Sequence, residues 1–341
     1  MKYLVTCHSY VSLRRSIPPS WNAEYLHTGS VVGPLDTGQN QYFAACDTSY
    51  TMLGQLINEE DVSFSLELDQ LVTNKYKARS ALKSTQGVPF TMCTNNRVDW
   101  PYDQKDKLIA KPVFGTRSKN VVITKHGETL PDIGEYYVVE KYIDDRYQRV
   151  SVDGYVCGEE IGIFMTYDNM YFKDEPTKFH YLGFPSVFHD DLKLKNRFVE
   201  VISELKRKTG CNNQIIDIEF FAVEGDFLVM EINPRISAFG PAIYEKLSGV
   251  NPWVFMEGLK EGIVHKPAAS LSDLPTAVIR YNYLYKPGEA VEIEHDEETF
   301  SVIGDGVNET FSLTYRFSPD CKPTCNIIKE LDSQYPSSCL L

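Results

Sequence analysis

No apolar run in this chain approaches the 18 or more residues that a membrane helix requires, so no spanning helix is expected. Positive charge is in short supply. Against 34 lysines and arginines stand 47 aspartates and glutamates, a net charge of −13, which argues against nucleic acid as a main partner. Any site for a polyanion must then be a local cluster of lysine and arginine. The eight cysteines, at positions 7, 46, 93, 157, 211, 321, 325 and 339, have neither paired metal spacing nor the density of a disulfide framework, and reduced thiols are expected. Cys321 and Cys325 form a lone C-x3-C, read more simply as a loop with two ordinary cysteines than as a metal or redox site. In the ending "SSCLL" the cysteine stands one place too close to the end for prenylation. The seven histidines show no ligand spacing. The opening "MKYLVTCHSY" lacks the apolar stretch of a secretory signal, so a cytoplasmic chain is expected.

What the sequence has is core. Hydrophobic content of 43% over 341 residues excludes a disordered chain and suffices for two or three subdomains of one enzyme-sized unit. "KYLVT" opens as a strand, a short helix is expected near 49–58, and "VSFSLEL" reads as a strand. "NKYKARSALKSTQGVPF" predicts a helix from Asn74 that stops at Gly87. "KLIAKPVFGTRSKNVVIT" gives two short strands around a loop, and "YYVVEKYI" a further, mostly buried strand. Several strands are expected over 150–190. "LKLKNRFVEVISELKRKTG" is an amphipathic helix with Leu194, Phe198, Val201 and Leu205 in one stripe and Gly210 as its stop. Pro241 and Pro252 suit the first positions of short helices, the second capped by Asn251, and "AVIRYNYLY" and "FSLTYRF" return to strands.

One stretch carries charge where a strand should be apolar. From Asp217, "DIEFFAVEGDFLVMEINPR" alternates twice around a glycine turn, the pattern of a β-hairpin. Pairing Val223 with Phe227 would set Ile218, Phe220 and Ala222 opposite Ile232, Met230 and Leu228, an apolar face. The same pairing puts Glu219 opposite Glu231 and Asp217 opposite Asn233. Like charges across strands repel, which makes sense if a cation lies between them. Mg²⁺ takes oxygen ligands and is commonly held by one or two carboxylates plus substrate phosphates. Standing alone, the hairpin reads more simply as two solvated glutamates on an exposed surface.

Four features in order, each weak alone, favour the metal reading: the helix-borne Lys75, the strand lysine Lys111 in "IAKP", the strand "VVEKYI", and the closing "EINPR". Together they resemble the ATP-grasp superfamily over roughly residues 70–260. The resemblance implies an α+β (α/β) ATP-grasp fold, two α+β subdomains clasping ATP. A short N-terminal α/β region (1–70) would precede a core of 71–265, its lid at about 105–150, and a β-rich part (266–341) would complete the unit. It implies Lys75 and Lys111 on the ATP phosphates, and Glu140 with the backbone of Lys141, Tyr142 and Ile143 as the adenine hinge. Glu219, Glu231 and Asn233 would bind Mg²⁺, or Mn²⁺ in its place, and Arg235 would face the transferred phosphoryl or acyl phosphate. Arg235 also reads as a counter-charge for the carboxylates, and Lys75 as a solvated residue at a helix start. The sequence departs from the superfamily in two places. "FGTRSKN" keeps only Gly115, leaving Thr116, Arg117 and Ser118 to cover the phosphates, and "YIDDRYQRVSVDG" leaves Asp144 or Asp145 for the ribose.

Most superfamily members of this layout phosphorylate a carboxylate with ATP and let a nitrogen nucleophile attack the acyl phosphate. The expectation is therefore an ATP-dependent carboxylate-amine ligase for amino acids or similar small molecules, with homodimerisation left open. Modification of a peptide or protein, and nucleotide binding without catalysis, are the alternatives.

Overall fold

A computed structural model describes residues 2–6, 16–18, 20–21, 23–27, 35, 40–56, 65–115, 120–144, 147–171, 179–237, 240–266, 275–284, 292–294, 299–305, 310–318 and 326–329. Cys321, Cys325, Thr116, Arg117, Ser118 and Asp145 lie outside them, as does the tail.

The first strands, β1 (Lys2–Thr6), β2 (Ala23–His27) and β3 (Gln41–Ala44), form a parallel sheet in the order β2-β1-β3, followed by α1 (Asp47–Leu56). Within "VSFSLEL" the expectation of a strand fails: Leu66–Val72 is a helix, α2. The Ser65 hydroxyl accepts from the amide of Leu68 (3.1 Å), and acidic Glu67 and Asp69 occupy the first turn. A cap and the helix dipole thus override a short alternation.

Helix α3 (Lys75–Ala81) starts as expected, with Asn74 Oδ1 accepting from the amide of Lys77 (2.9 Å), but ends at Leu82, well short of Gly87. Gly87 serves another purpose. It sits at φ +78° and donates no side chain because an added Cβ would lie 2.4 Å from the carbonyl oxygen of Phe227. Its own carbonyl accepts from the amide of Val229 (2.8 Å), so the chain there lies directly on the hairpin.

Strands β4 (Thr91–Thr94), β5 (Leu108–Pro112), β6 (Val122–Thr124) and β7 (Tyr137–Lys141) make a separate antiparallel sheet, ordered β4-β7-β5-β6, around Trp100, Leu108, Ala110, Tyr137 and Val139. Apart from β4, its strands fall within the 105–150 expected for the lid, and it is called the lid sheet below. The largest sheet combines β8 (Arg149–Cys157), β9 (Glu160–Tyr171), β10 (Phe179–Phe184), β11 (Gln214–Val223), β12 (Asp226–Asn233), β13 (Thr276–Leu284), β14 (Glu292–Glu294), β15 (Thr299–Asp305) and β16 (Thr310–Ser318). Its order is β12-β11-β8-β9-β10-β13-β16-β15-β14, so the late strands continue the early ones.

Helix α4 (Leu192–Thr209) lays its stripe of Leu194, Phe198, Val201 and Leu205 on one face of that sheet, against Val150, Val152, Ile216, Ile218 and Phe220. Gly210 ends it at φ +67°. The other face packs on α5 (Pro241–Ser248), α6 (Pro252–Lys260) and the N-terminal sheet, through Ile215, Phe164, Tyr244, Trp253, Phe255, Phe43 and Leu4. Asn251 caps α6 by accepting from the amide of Trp253 (3.0 Å). No helix among the described residues is long and apolar enough to cross a membrane. Cys46, Cys93, Cys157 and Cys211 are free thiols.

Candidate active site

The site is built on three neighbouring strands. In the β11–β12 ladder Asp217 faces Asn233 and Glu219 faces Glu231, as the hydrophobic pattern predicts. The turn end differs. Val223 pairs with Asp226 rather than Phe227, across the two-residue turn Glu224-Gly225 with φ values of +49° and +80°. Such a turn matches the twist of paired strands, and the surplus residue is absorbed as a bulge at Met230, which has no cross-strand partner. The apolar face is consequently Phe227, Val229 and Ile232, all buried, in place of Leu228 and Met230.

Strand β8 extends the polar face. Asp153 pairs with Asp217, Ser151 with Glu219 and Arg149 with Phe221, so directly opposed residues make rows on one side of the sheet. The rows are Asn233–Asp217–Asp153 and Glu231–Glu219–Ser151. Burial, the facing Glu231 and nearby Asp217 push the Glu219 carboxyl well above the usual range, against the pull of Arg235 and Arg149. Burial and Asp217 do the same to Asp153. This concentration of carboxylate and amide oxygen suits a hard divalent cation. Among the described residues no three His, Cys, Asp or Glu side chains gather closely enough to hold a metal by themselves. Glu219, Glu231 and Asn233 supply two carboxylates and an amide, the set that phosphate and water oxygens complete around Mg²⁺.

Beneath this face the polar groups are tied together. Asn233 Nδ2 donates to Asp217 Oδ2 (2.9 Å), and the buried Tyr167 hydroxyl donates to Asp217 Oδ1 (3.4 Å). Asp153 accepts from the amide of Ser237 (2.8 Å) and from the Tyr244 hydroxyl, pinning the segment after "NPR" to β8. Arg235 Nη1 lies 3.6 Å from Asp217 Oδ2 and donates to the carbonyl of Ile236 (3.1 Å). Its ion pair is with Asp217, and its charge also acts on Glu219.

The lysines come from the lid side. Lys75 Nζ stands 3.4 Å from Glu231 Oε1 and donates to the carbonyl of Gly115 (2.6 Å), joining the glutamate to the end of the segment that follows β5. Lys111 Nζ is 3.2 Å from Glu140 Oε2. Glu140 is 4% exposed and also receives Arg79 Nε on Oε1 at 2.7 Å, with the Thr91 hydroxyl 3.0 Å away. Burial alone would raise its carboxyl, but Arg79 and Lys111 hold it down at about 2. Two cations on one carboxylate leave one net positive charge at this junction. The side chain expected in the adenine hinge is thus engaged by Arg79 and Lys111.

After β7 the hinge residues diverge. Lys141 is 62% exposed and paired with Asp106 Oδ1 at 2.8 Å. The Tyr142 amide donates to the carbonyl of Lys107 (2.9 Å), and Lys107 Nζ lies 4.0 Å over the Tyr142 ring. Ile143 is half-buried and Asp144 exposed. Sequence reasoning passed over Arg79, Arg149, Ser151 and Asp153. The last three were legible as the polar positions of "RVSVD", alternating with Val150 and Val152. Arg79, four residues after Lys75, was legible only as sharing its helix face.

Residues 72–239 match the family model described as an ATP-grasp domain. The chain contains an ATP-grasp domain. Solved structures repeat the ATP-grasp fold over nearly the whole length. Phosphoribosylglycinamide synthetase from Anaerococcus prevotii is 12% identical, with a TM-score of 0.65 over 98% of this chain and 97% of its own. L-amino acid ligase from Bacillus licheniformis is 14% identical, with a TM-score of 0.64 over 97% of each chain. The biotin carboxylase domain of Hydrogenobacter thermophilus 2-oxoglutarate carboxylase, in complex with MgADP, ADP and bicarbonate, is 11% identical, with a TM-score of 0.62 over 93% of this chain and 86% of its own. Among curated proteins none matches the sequence.

Proposed function

We propose that the chain is an ATP-dependent carboxylate-amine ligase, which phosphorylates a small carboxylate and passes the acyl group to an amine, releasing ADP and phosphate. The observation that carries this reading is the Glu219–Glu231 pair, held face to face with Asn233 alongside and with Lys75 reaching Glu231 from the lid side. Two of the similar folds are named as a synthetase and a ligase, phosphoribosylglycinamide synthetase and L-amino acid ligase, and a third was solved with MgADP. We extend those properties to this chain.

In this reading Glu219, Glu231 and Asn233 hold Mg²⁺, which would draw negative charge off the phosphate oxygens when bound. Lys75 and Lys111 hold phosphate oxygens from the lid side, and Ser118 joins them from the covering loop. The backbone of Lys141 to Ile143 lies along the adenine, with Asp145 at the ribose. Glu140 acts through Lys111, fixing its ammonium. Arg235, its orientation set by Asp217 and Ile236, offers its guanidinium to the acyl phosphate oxygens, where positioned positive charge does most of the work of phosphoryl transfer. An uncharged amine attacks without a dedicated base.

The test is release of ADP and phosphate from MgATP against pools of amino acids, short peptides and organic acids. Release should require one pool and drop at least about 100-fold in Glu231→Gln, the scale of losing one electrostatic contact to the reacting groups. Equal turnover by that variant would refute the metal assignment, and release with peptides alone would move the substrate to a polypeptide.

A further inference from the structure

Arg79 is 7% exposed, and its hydrogen bonds run to protein acceptors. Its guanidinium joins three elements. From α3 it donates Nε to Glu140 Oε1 of the lid strand β7 (2.7 Å) and Nη2 to the carbonyl of Met230 in β12 (2.6 Å). Met230 is the bulged residue that lacks a ladder partner, and the next residue is Glu231. One turn earlier on the same helix, Lys75 reaches Glu231 Oε1 and its amide donates to the carbonyl of Val113 at the end of β5 (3.1 Å).

From this junction we infer that Arg79 is a positioning residue that couples the lid sheet to the metal-site hairpin. The guanidinium is rigid and planar, so its donors fix the directions in which two acceptors must lie. Glu140 and the Met230 carbonyl can both be satisfied only while β7 and β12 keep one separation. A displacement of the lid that strains the Glu140 contact is passed to the bulge, and so to the placement of Glu231 opposite Glu219. A buried guanidinium that loses an acceptor is costly, which makes the coupling stiff. The bulge supplies the acceptor, because a bulged residue is released from the regular ladder. Lys111 shares Glu140 with Arg79, so the candidate phosphate ligand and the candidate metal ligand are set by one side chain.

The role in nucleotide binding rests on the proposed function, but the coupling can be measured without any nucleotide. Backbone amide exchange would be followed in the nucleotide-free protein for the wild type, Arg79→Lys, Glu140→Gln and the double variant. Lysine keeps the charge but cannot serve both acceptors with fixed geometry. Exchange at residues 229–232 should rise about tenfold in Arg79→Lys, the effect of losing a charged hydrogen bond. Glu140→Gln, a change on the lid, should raise exchange at the same hairpin amides, and should add nothing there once Arg79 is lysine. An effect of Glu140→Gln confined to the lid, or undiminished in the double variant, would overturn the inference. Should Arg79→Lys not fold, Thr91→Val, which removes the hydroxyl beside Glu140, gives the same reading from lid to hairpin.

A second measurement is the gain in affinity for a non-hydrolysable ATP analogue on adding Mg²⁺. That gain should shrink about tenfold in Arg79→Lys, on the same hydrogen-bond scale, and a gain equal to the wild type's would count against the coupling. A wild-type protein that binds no nucleotide would refute the proposed function, while the exchange pattern alone decided the role of Arg79.

Discussion

Glu140 and Asp168 are buried carboxyls with opposite histories. Glu140, neutralised by Arg79 and Lys111, titrates at about 2 against an ordinary value of 4.5. Asp168 is pushed up by burial to about 6 from 3.8, although the Ser186 hydroxyl and the Val187 amide (3.2 Å) donate to it. A depressed carboxyl stabilises the fold above its unfolded value and loses that contribution as pH falls to its folded value. Glu140 should therefore contribute roughly 3 kcal/mol above pH 4.5 that vanishes by about pH 2. A raised carboxyl does the reverse: the folded protein takes up a proton first, so stability rises as pH falls from about 6 toward 4. Urea unfolding against pH should show both windows, the lower one missing in Glu140→Gln and the upper one in Asp168→Asn. These residues mark how far sequence reading reaches. Lys111, before a proline and between apolar neighbours, was visible as a buried cation; its partner Glu140 lies on another strand, and Arg79 on a helix, so the junction exists only once the sheet register is known.

At the scale of elements, the hairpin's polar face was legible because its charges sit at alternate positions next to the "INPR" end. Its apolar face was not, since Leu228 and Met230 are as apolar as Phe227 and Val229, and pattern alone cannot locate a bulge. The turn decided it. Deleting Met230 would leave Glu219 opposite Glu231 and keep Phe227 and Val229 inward, because the shortened ladder becomes regular. Such a protein should fold with an unfolding temperature within a few degrees of the wild type's, yet show the faster hairpin exchange expected for Arg79→Lys. Gly87 carries a sharper expectation. A β-carbon there meets both a left-handed backbone and the Phe227 carbonyl at 2.4 Å. Gly87→Ala should cost at least about 1–3 kcal/mol in urea unfolding, the range for strained backbone, whereas Gly210→Ala would meet no atom within 4 Å and should cost less.

The whole molecule depends on strands far apart in the chain. β13 pairs with β10, Ala277 to Arg280 against Phe184 to Tyr181, and Ala277, Val278 and Ile279 are fully buried. A chain ending at residue 265 would expose β10 as an unpaired edge and open the core beside Phe184. It should aggregate or lose its cooperative unfolding transition, as scattering and calorimetry would show. The β-rich part expected from 266 is joined to the core by this pairing, since one sheet runs across the boundary. The same pairing sets a schedule for biosynthesis. Phe184 and its partner Ala277 are separated by 277 − 184 = 93 positions. At about 5–20 residues per second, the edge of β10 waits roughly 5–20 seconds on the ribosome for the strand that covers it. Throughout that interval the nascent chain presents a bare sheet edge to its surroundings, the kind of surface on which neighbouring polypeptides add strands of their own.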